Sequence, residues 1–235
     1  MIVFCHGMVK SASSFATQIA LGLLQDYCKR SPARMIDLRQ YLPESNGLYI
    51  DIKEDVDLIT RRAFEDVGPG LDRILVIKTH GSCTDYLASL IARNDVIAIS
   101  TFRNPIDIAL SLCDAARIDE ANGKSRFTHY FTVDDAIPAI DWQIVCFRSW
   151  AAARGVELIS FDELATTPFL VGERIANRLN IDWHPGPVEY LVGNKQVIWE
   201  FNKGMINRGV NELSPEDYRR LTNYWHDFNN SITRK

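Results

Sequence analysis

The chain opens on a short apolar run, Ile2 to Cys5, stopped by Gly7, and a helical period follows it. Phe15, Ile19, Leu23 and Tyr27 recur every four residues with Ala16, Ala20 and Leu24 beside them, so a helix from Phe15 to Tyr27 has one apolar face. Ser13 or Ser14 stands ready as its N-cap. The alternation then returns twice. Arg73 to Lys78 and Val96 to Phe102 are continuous apolar runs, each followed by a helical pattern, at Asp85 to Arg93 and Pro105 to Arg117. A long helix, Val133 to Ala153, leads into a strand at Glu157 to Ser160 and a helix at Phe169 to Leu179. Strands that are apolar on both faces and alternate with helices predict a three-layer α/β/α fold around a central, mainly parallel sheet.

The period fails in two places. Gly123 to Thr132 is polar and aromatic, and Asn194 to Asn211 is loop-like, carrying Lys195, Lys203 and Arg208 ahead of a helix capped at Ser214-Pro215-Glu216-Asp217. Loops of this length in a compact fold carry function often enough to be searched first.

Composition narrows the function classes. At 235 residues, 46% hydrophobic and 24% charged, the chain suits one globular domain spanning 1–235. A net charge of −4 argues against a general nucleic-acid or membrane-surface binder, which needs a basic field. No run reaches the ~20 apolar residues of a membrane span, and Met1 to His6 lacks the pattern of a signal peptide. The five cysteines, Cys5, Cys28, Cys83, Cys113 and Cys146, have no C-x-x-C spacing, so neither a disulfide framework nor a zinc knuckle is encoded. A soluble protein with reduced thiols, in the cytoplasm, is the expectation.

Three segments carry candidate chemistry. Gly7-Met8-Val9-Lys10-Ser11-Ala12-Ser13-Ser14 lies between the first strand and the first helix, where small residues, a helix N-terminus and Lys10 form an anion cradle or, equally in form, an ordinary capped loop. It is not the G-x-x-x-x-G-K-S/T loop of ATP and GTP enzymes, since Val9 precedes Lys10, and neither middle strand ends in a magnesium-binding aspartate. Arg103-Asn104-Pro105 follows the strand Val96 to Phe102, so Arg103 falls on the sheet edge where open α/β sheets bind ligands. Lys78-Thr79-His80-Gly81 ends another strand on that edge, and a histidine there suits a general base. His6 ends the first strand and reads as structural, while His129, His184 and His226 lack metal-ligand spacing.

These segments resemble the PAPS-dependent sulfotransferases (PAPS is 3′-phosphoadenosine 5′-phosphosulfate). Lys10-Ser11-Ala12-Ser13-Ser14-Phe15 is similar to the family's K-S-G-T-T-W stretch around the 5′-phosphosulfate, with Ala12 for glycine and Phe15 for tryptophan. Arg103 to Ser111 resembles R-N-P-x-D-x-A-x-S, whose arginine and serine bind the 3′-phosphate, and Lys78-Thr79-His80 resembles K-T-H, whose histidine is the base. Phe161 stands where Y-E-D-L has a tyrosine near the adenine, and Lys203-Gly204 matches the end of R-K-G, with Asn202 replacing its arginine. Arg208 is a candidate to reach the same phosphate. The matches run in one order from Lys10 to about Asn229.

The resemblance implies a P-loop-NTPase-like fold and in-line sulfuryl transfer from PAPS, leaving PAP, with His80 as base, Lys10 stabilising the leaving phosphate, and no metal. The acceptor carries a hydroxyl, on a sugar, a phenol or a small-metabolite alcohol. Ala116 to Thr132, with Arg126, His129, Tyr130 and Phe131, is the expected acceptor region. A nucleotide or nucleoside kinase and a nucleotide-binding protein that has lost catalysis are the competing readings, the latter suggested by Ala12, Phe161 and Asn202.

Overall fold

A computed structural model of the protein describes residues 1–41, 56–199 and 203–233. The described elements begin with β1 (Ile2–Gly7), α1 (Ser13–Arg30), β2 (Arg34–Met35), α2 (Val56–Val67), β3 (Arg73–Thr79), α3 (Asp85–Ala92) and β4 (Val96–Phe102). They continue with α4 (Pro105–Ala121), α5 (Val133–Ala152), β5 (Glu157–Ser160), α6 (Phe161–Thr166), α7 (Pro168–Leu179) and α8 (Gly186–Gly193). Three helices end the chain: α9 (Arg208–Glu212), α10 (Pro215–Tyr224) and α11 (His226–Thr233).

The five strands lie in the order β2-β3-β1-β4-β5, and every pairing is parallel. Phe4 of β1 sits opposite Ile77 of β3 on one side and Ala98 of β4 on the other. Because successive side chains on a strand point to opposite faces, β1 feeds two cores. Val3 and Cys5 join Val76, Ile99 and the apolar faces of α1, α7 and α8 in one cluster. Ile2 and Phe4 join Leu75, Ile77 and Ala98 under α2, α3 and Trp150 in the other. This double burial is why the strands read as unbroken apolar runs.

A third cluster packs α4 and α5 against α10 and α11 and reaches Met8 of the loop after β1. The chain runs from β1 out to β2, back to β3, and then across to β4 on the far side of β1. That reversal opens a crevice at the C-terminal ends of β1, β3 and β4.

Local caps refine the expected boundaries. Asn104 caps α4 by accepting from the Ile106 N–H, with Pro105 as first helical residue, as its sequence predicts. Helix α1 differs: it starts at Ser13, and Ala12, in the left-handed conformation (φ 62°), takes the N-cap position without a side-chain hydrogen bond. The loop reading of Asn194 to Asn211 also gives way partly, since α9 begins at Arg208.

Candidate active site

One large cavity, about 1020 Å³, opens along that crevice. Its floor is backbone. Gly7 must be glycine: a Cβ there would lie 2.1 Å from Thr101 Oγ1 and 2.5 Å from Ser13 Cβ. The close approach lets Met8 N–H bond the Thr101 carbonyl at 3.0 Å and locks the loop to β4. Lys10 and Ala12 both have positive φ (61° and 62°), a conformation that costs a residue with a Cβ roughly 1–2 kcal/mol. Two strained residues in one short loop, leading into a helix whose start no side chain caps, form the curled backbone suited to an anion.

Lys10, Ala12, Ser13, Ser14 and Phe15 line the cavity. Ser11 does not; it is fully buried, and its hydroxyl bonds the Met8 carbonyl (2.6 Å) and Thr101 Oγ1 (2.7 Å). Its side chain therefore braces the loop rather than facing a ligand. The Lys10 ammonium rests 4.3 Å from the centre of the Phe127 ring.

His80 follows β3 and lines the cavity beside the cradle. Its Nδ1 lies against the Gly7 carbonyl oxygen, which can only accept, so Nδ1 carries the proton and Nε2 presents its lone pair. Lys78 Nζ stands 3.0 Å from that Nε2. Lys78 is buried behind the histidine and is not part of the cavity wall.

Gln143 of α5 ties these parts together: its Oε1 accepts from Val9 N–H at 3.1 Å, and its Nε2 lies 3.5 Å from the His80 carbonyl. His6 takes no part. It is 1% exposed, stacked on Trp150 at 4.9 Å, and bonded to Ser100 at 2.7 Å. Burial first, then the neighbouring His80 and Lys78, holds it well below the ordinary value of 6.5, so the ring is neutral.

Arg103, at the end of β4, reaches the Lys10 carbonyl (3.2 Å) and the Met205 carbonyl (2.6 Å) and covers the Phe161 ring at 3.7 Å. Burial pulls its pKa down to about 10, against the opposing pull of Asp107 at 3.8 Å. Its Nε is buried and has no hydrogen-bond partner among the described residues, a donor left unpaired by the protein's own groups. Ser111, Phe161, Lys203, Gly204 and Arg208 also line this end. Phe161 is buried, and the guanidinium takes a ring face expected to remain open for a base. Asn202 lies outside the described residues.

Arg126, His129 and Tyr130 face the cavity as expected, whereas Phe131 does not. Several wall residues gave no motif: Ile140, Trp142 and Gln143 of α5, and Val192, Ile198 and Trp199 near Phe15. Gln143 did leave a signal, for it is a polar residue inside the buried stripe Ala136, Ile140, Ile144, Phe147.

The architecture is an all-parallel α/β sheet whose strand order reverses beside β1, with the cavity at that reversal. No protein-family model matches the chain, and no curated protein matches it in sequence. Among solved structures it resembles retinol dehydratase in complex with retinol and PAP, with a TM-score of 0.61 and 13% identity over 96% of this chain and 80% of that one. It resembles retinol dehydratase in complex with androsterone and inactive cofactor PAP similarly, at 0.60 and 12% over 97% and 80%. Mouse sulfotransferase SULT7A1 complexed with PAP gives 0.54 and 15% over 95% and 82%. The chain thus has the fold of these PAP-complexed proteins.

Proposed function

We propose that this protein is a sulfotransferase that moves a sulfuryl group from PAPS to an acceptor hydroxyl. The observation that carries the reading is the meeting of three strand ends in one cavity: the Lys10 cradle after β1, His80 after β3 and Arg103 after β4. The fit to the donor is supported by the strained cradle at Lys10 and Ala12 and by the orphaned Arg103 Nε. PAPS, when bound, supplies the activated sulfuryl group.

The chain's own residues do the rest. The cradle N–H groups and Lys10 hold the 5′ end and meet the charge that grows on the departing phosphate. Arg103, Ser111, Lys203 and Gly204 take the 3′-phosphate. Gly7 fixes the His80 tautomer, so Nε2 is the atom that receives the acceptor proton. For that transfer Nε2 exchanges Lys78 Nζ, 3.0 Å away, for the acceptor O–H. Phe15 and Trp199, aromatic residues that both line the cavity, are the faces offered to adenine.

The acceptor is an apolar ring-bearing alcohol or phenol rather than a sugar. Val9, Ile108, Leu112, Phe127, Ile140 and Trp142 line the cavity together with Arg126, His129 and Tyr130, and the amide of Gln143 is engaged by Val9 and His80. The apolar share of this wall favours a ring-bearing acceptor, whose hydroxyl has polar neighbours in Arg126, His129 and Tyr130. All five cysteines are free, in keeping with the reducing cytoplasm as its compartment.

Calorimetric binding of PAP against ADP and ATP, with and without Mg²⁺, tests the donor. Metal-independent preference for PAP is expected, followed by transfer to phenols and apolar alcohols in an acceptor screen. Preference for Mg-ATP would overturn the reading in favour of a kinase.

A further inference from the structure

The far end of the cavity holds an ion network that a 3′-phosphate has to enter. Arg208 is 1% exposed, and its Nε donates to Glu212 Oε1 at 2.6 Å. Its Nη2 donates to Glu212 Oε2 at 2.7 Å and lies 2.9 Å from Asp114 Oδ2. Lys203 Nζ shares the same Asp114 oxygen at 3.1 Å and stands 3.9 Å from Glu212. Arg117, on the surface, approaches the other Asp114 oxygen at 3.8 Å. Next to them Arg103 pairs with Asp107, whose other oxygen accepts from Gly209 N–H at 3.0 Å, and Asp162 lies within electrostatic reach.

The cations lining the 3′ end are thus matched by carboxylates inside one wall. Folding requires this, because a buried guanidinium without a counter-charge is strongly destabilising. Binding does not profit from it: a phosphate dianion placed on Lys203 and Arg208 meets two carboxylates at short range, where partial burial limits screening.

We propose, on the basis of the donor assignment above, that Asp114 and Glu212 are internal counter-anions which the 3′-phosphate exchanges for itself. They set the affinity of donor and product by competing for the same cations. The exchange also shortens the residence of PAP, since the cations have a partner waiting when the phosphate leaves.

The test is calorimetric binding of PAP and of AMP, which keeps the 5′-phosphate and lacks the 3′-phosphate, to the full-length protein and to Glu212→Gln and Asp114→Asn. Each variant is expected to bind PAP about three- to tenfold more tightly and AMP within about twofold of the parent. Weaker or unchanged PAP binding in a folded variant would overturn the proposal and make the carboxylates simple props for the cations. Glu212 is the more exposed partner, at 31% of its side chain, so Glu212→Gln decides the matter if Asp114→Asn does not fold. Failure of the donor assignment shows separately, as a parent protein that does not prefer PAP to AMP.

Discussion

The two ends of the cavity are built in different ways. The cradle end is backbone: Gly7 pressed against Thr101, two residues in left-handed conformation, and an imidazole pinned by a carbonyl. The far end is side chain: long cations held by carboxylates on α4 and α9. Backbone fixed to a parallel sheet is preorganised and cannot easily be neutralised, whereas ion pairs are exchangeable partners. Chemistry belongs at the first kind of end, and adjustable affinity at the second.

That contrast can be broken by substitution. The largest effect is expected from His80→Ala, which removes the proposed base and lowers turnover about 10²- to 10⁴-fold while PAP affinity, measured by calorimetry, stays within about twofold. Retained turnover would place the base elsewhere. Arg103→Ala should weaken PAP by at least about 2 kcal/mol, roughly 30-fold, because Arg103 links the cradle at the Lys10 carbonyl to the far segment at the Met205 carbonyl. Unchanged PAP binding would sink the 3′-phosphate site.

Gln143→Leu probes the cradle end alone. Loosening Val9 and His80 together should cost about ten- to a hundredfold in kcat with donor binding nearly unaltered, and a loss confined to KM would contradict the positioning role. The smallest effect concerns the core beneath the cradle. His6 has a depressed folded pKa, so its contribution to stability is complete above the ordinary 6.5 and is lost as pH falls from there toward the folded value. Melting curves should therefore drop below about pH 6.5 by at most ~1.4 kcal/mol per pH unit, and His6→Gln should flatten that slope. A parent curve indifferent to pH in this range would show that the ring is charged when folded.

Legibility followed the same division. The strands of the central sheet could be read because burial on both faces writes itself into consecutive apolar residues, and the Lys10, His80 and Arg103 segments follow those strands directly. The two-residue β2 is too short to leave a period. The bracing role of Ser11 was hidden, since a loop serine facing a ligand and one facing Thr101 look alike in sequence. Trp199 sits in a segment without periodicity, and the pairing of Asp114 with Arg208 joins two helices distant in the chain, so no local pattern announces it. What stood outside reach was tertiary pairing of side chains, while backbone architecture was largely visible.

Gly7 has a consequence for the alignment of the reaction. Its carbonyl orients the imidazole, and the same residue begins the loop proposed to cup the leaving phosphate. In-line displacement demands that base, acceptor oxygen, sulfur and leaving oxygen stay on one axis. Both ends of that axis are referenced to a single peptide unit. In the proposed reaction a shift of this one peptide unit acts on the proton acceptor and on the leaving-group site at the same time.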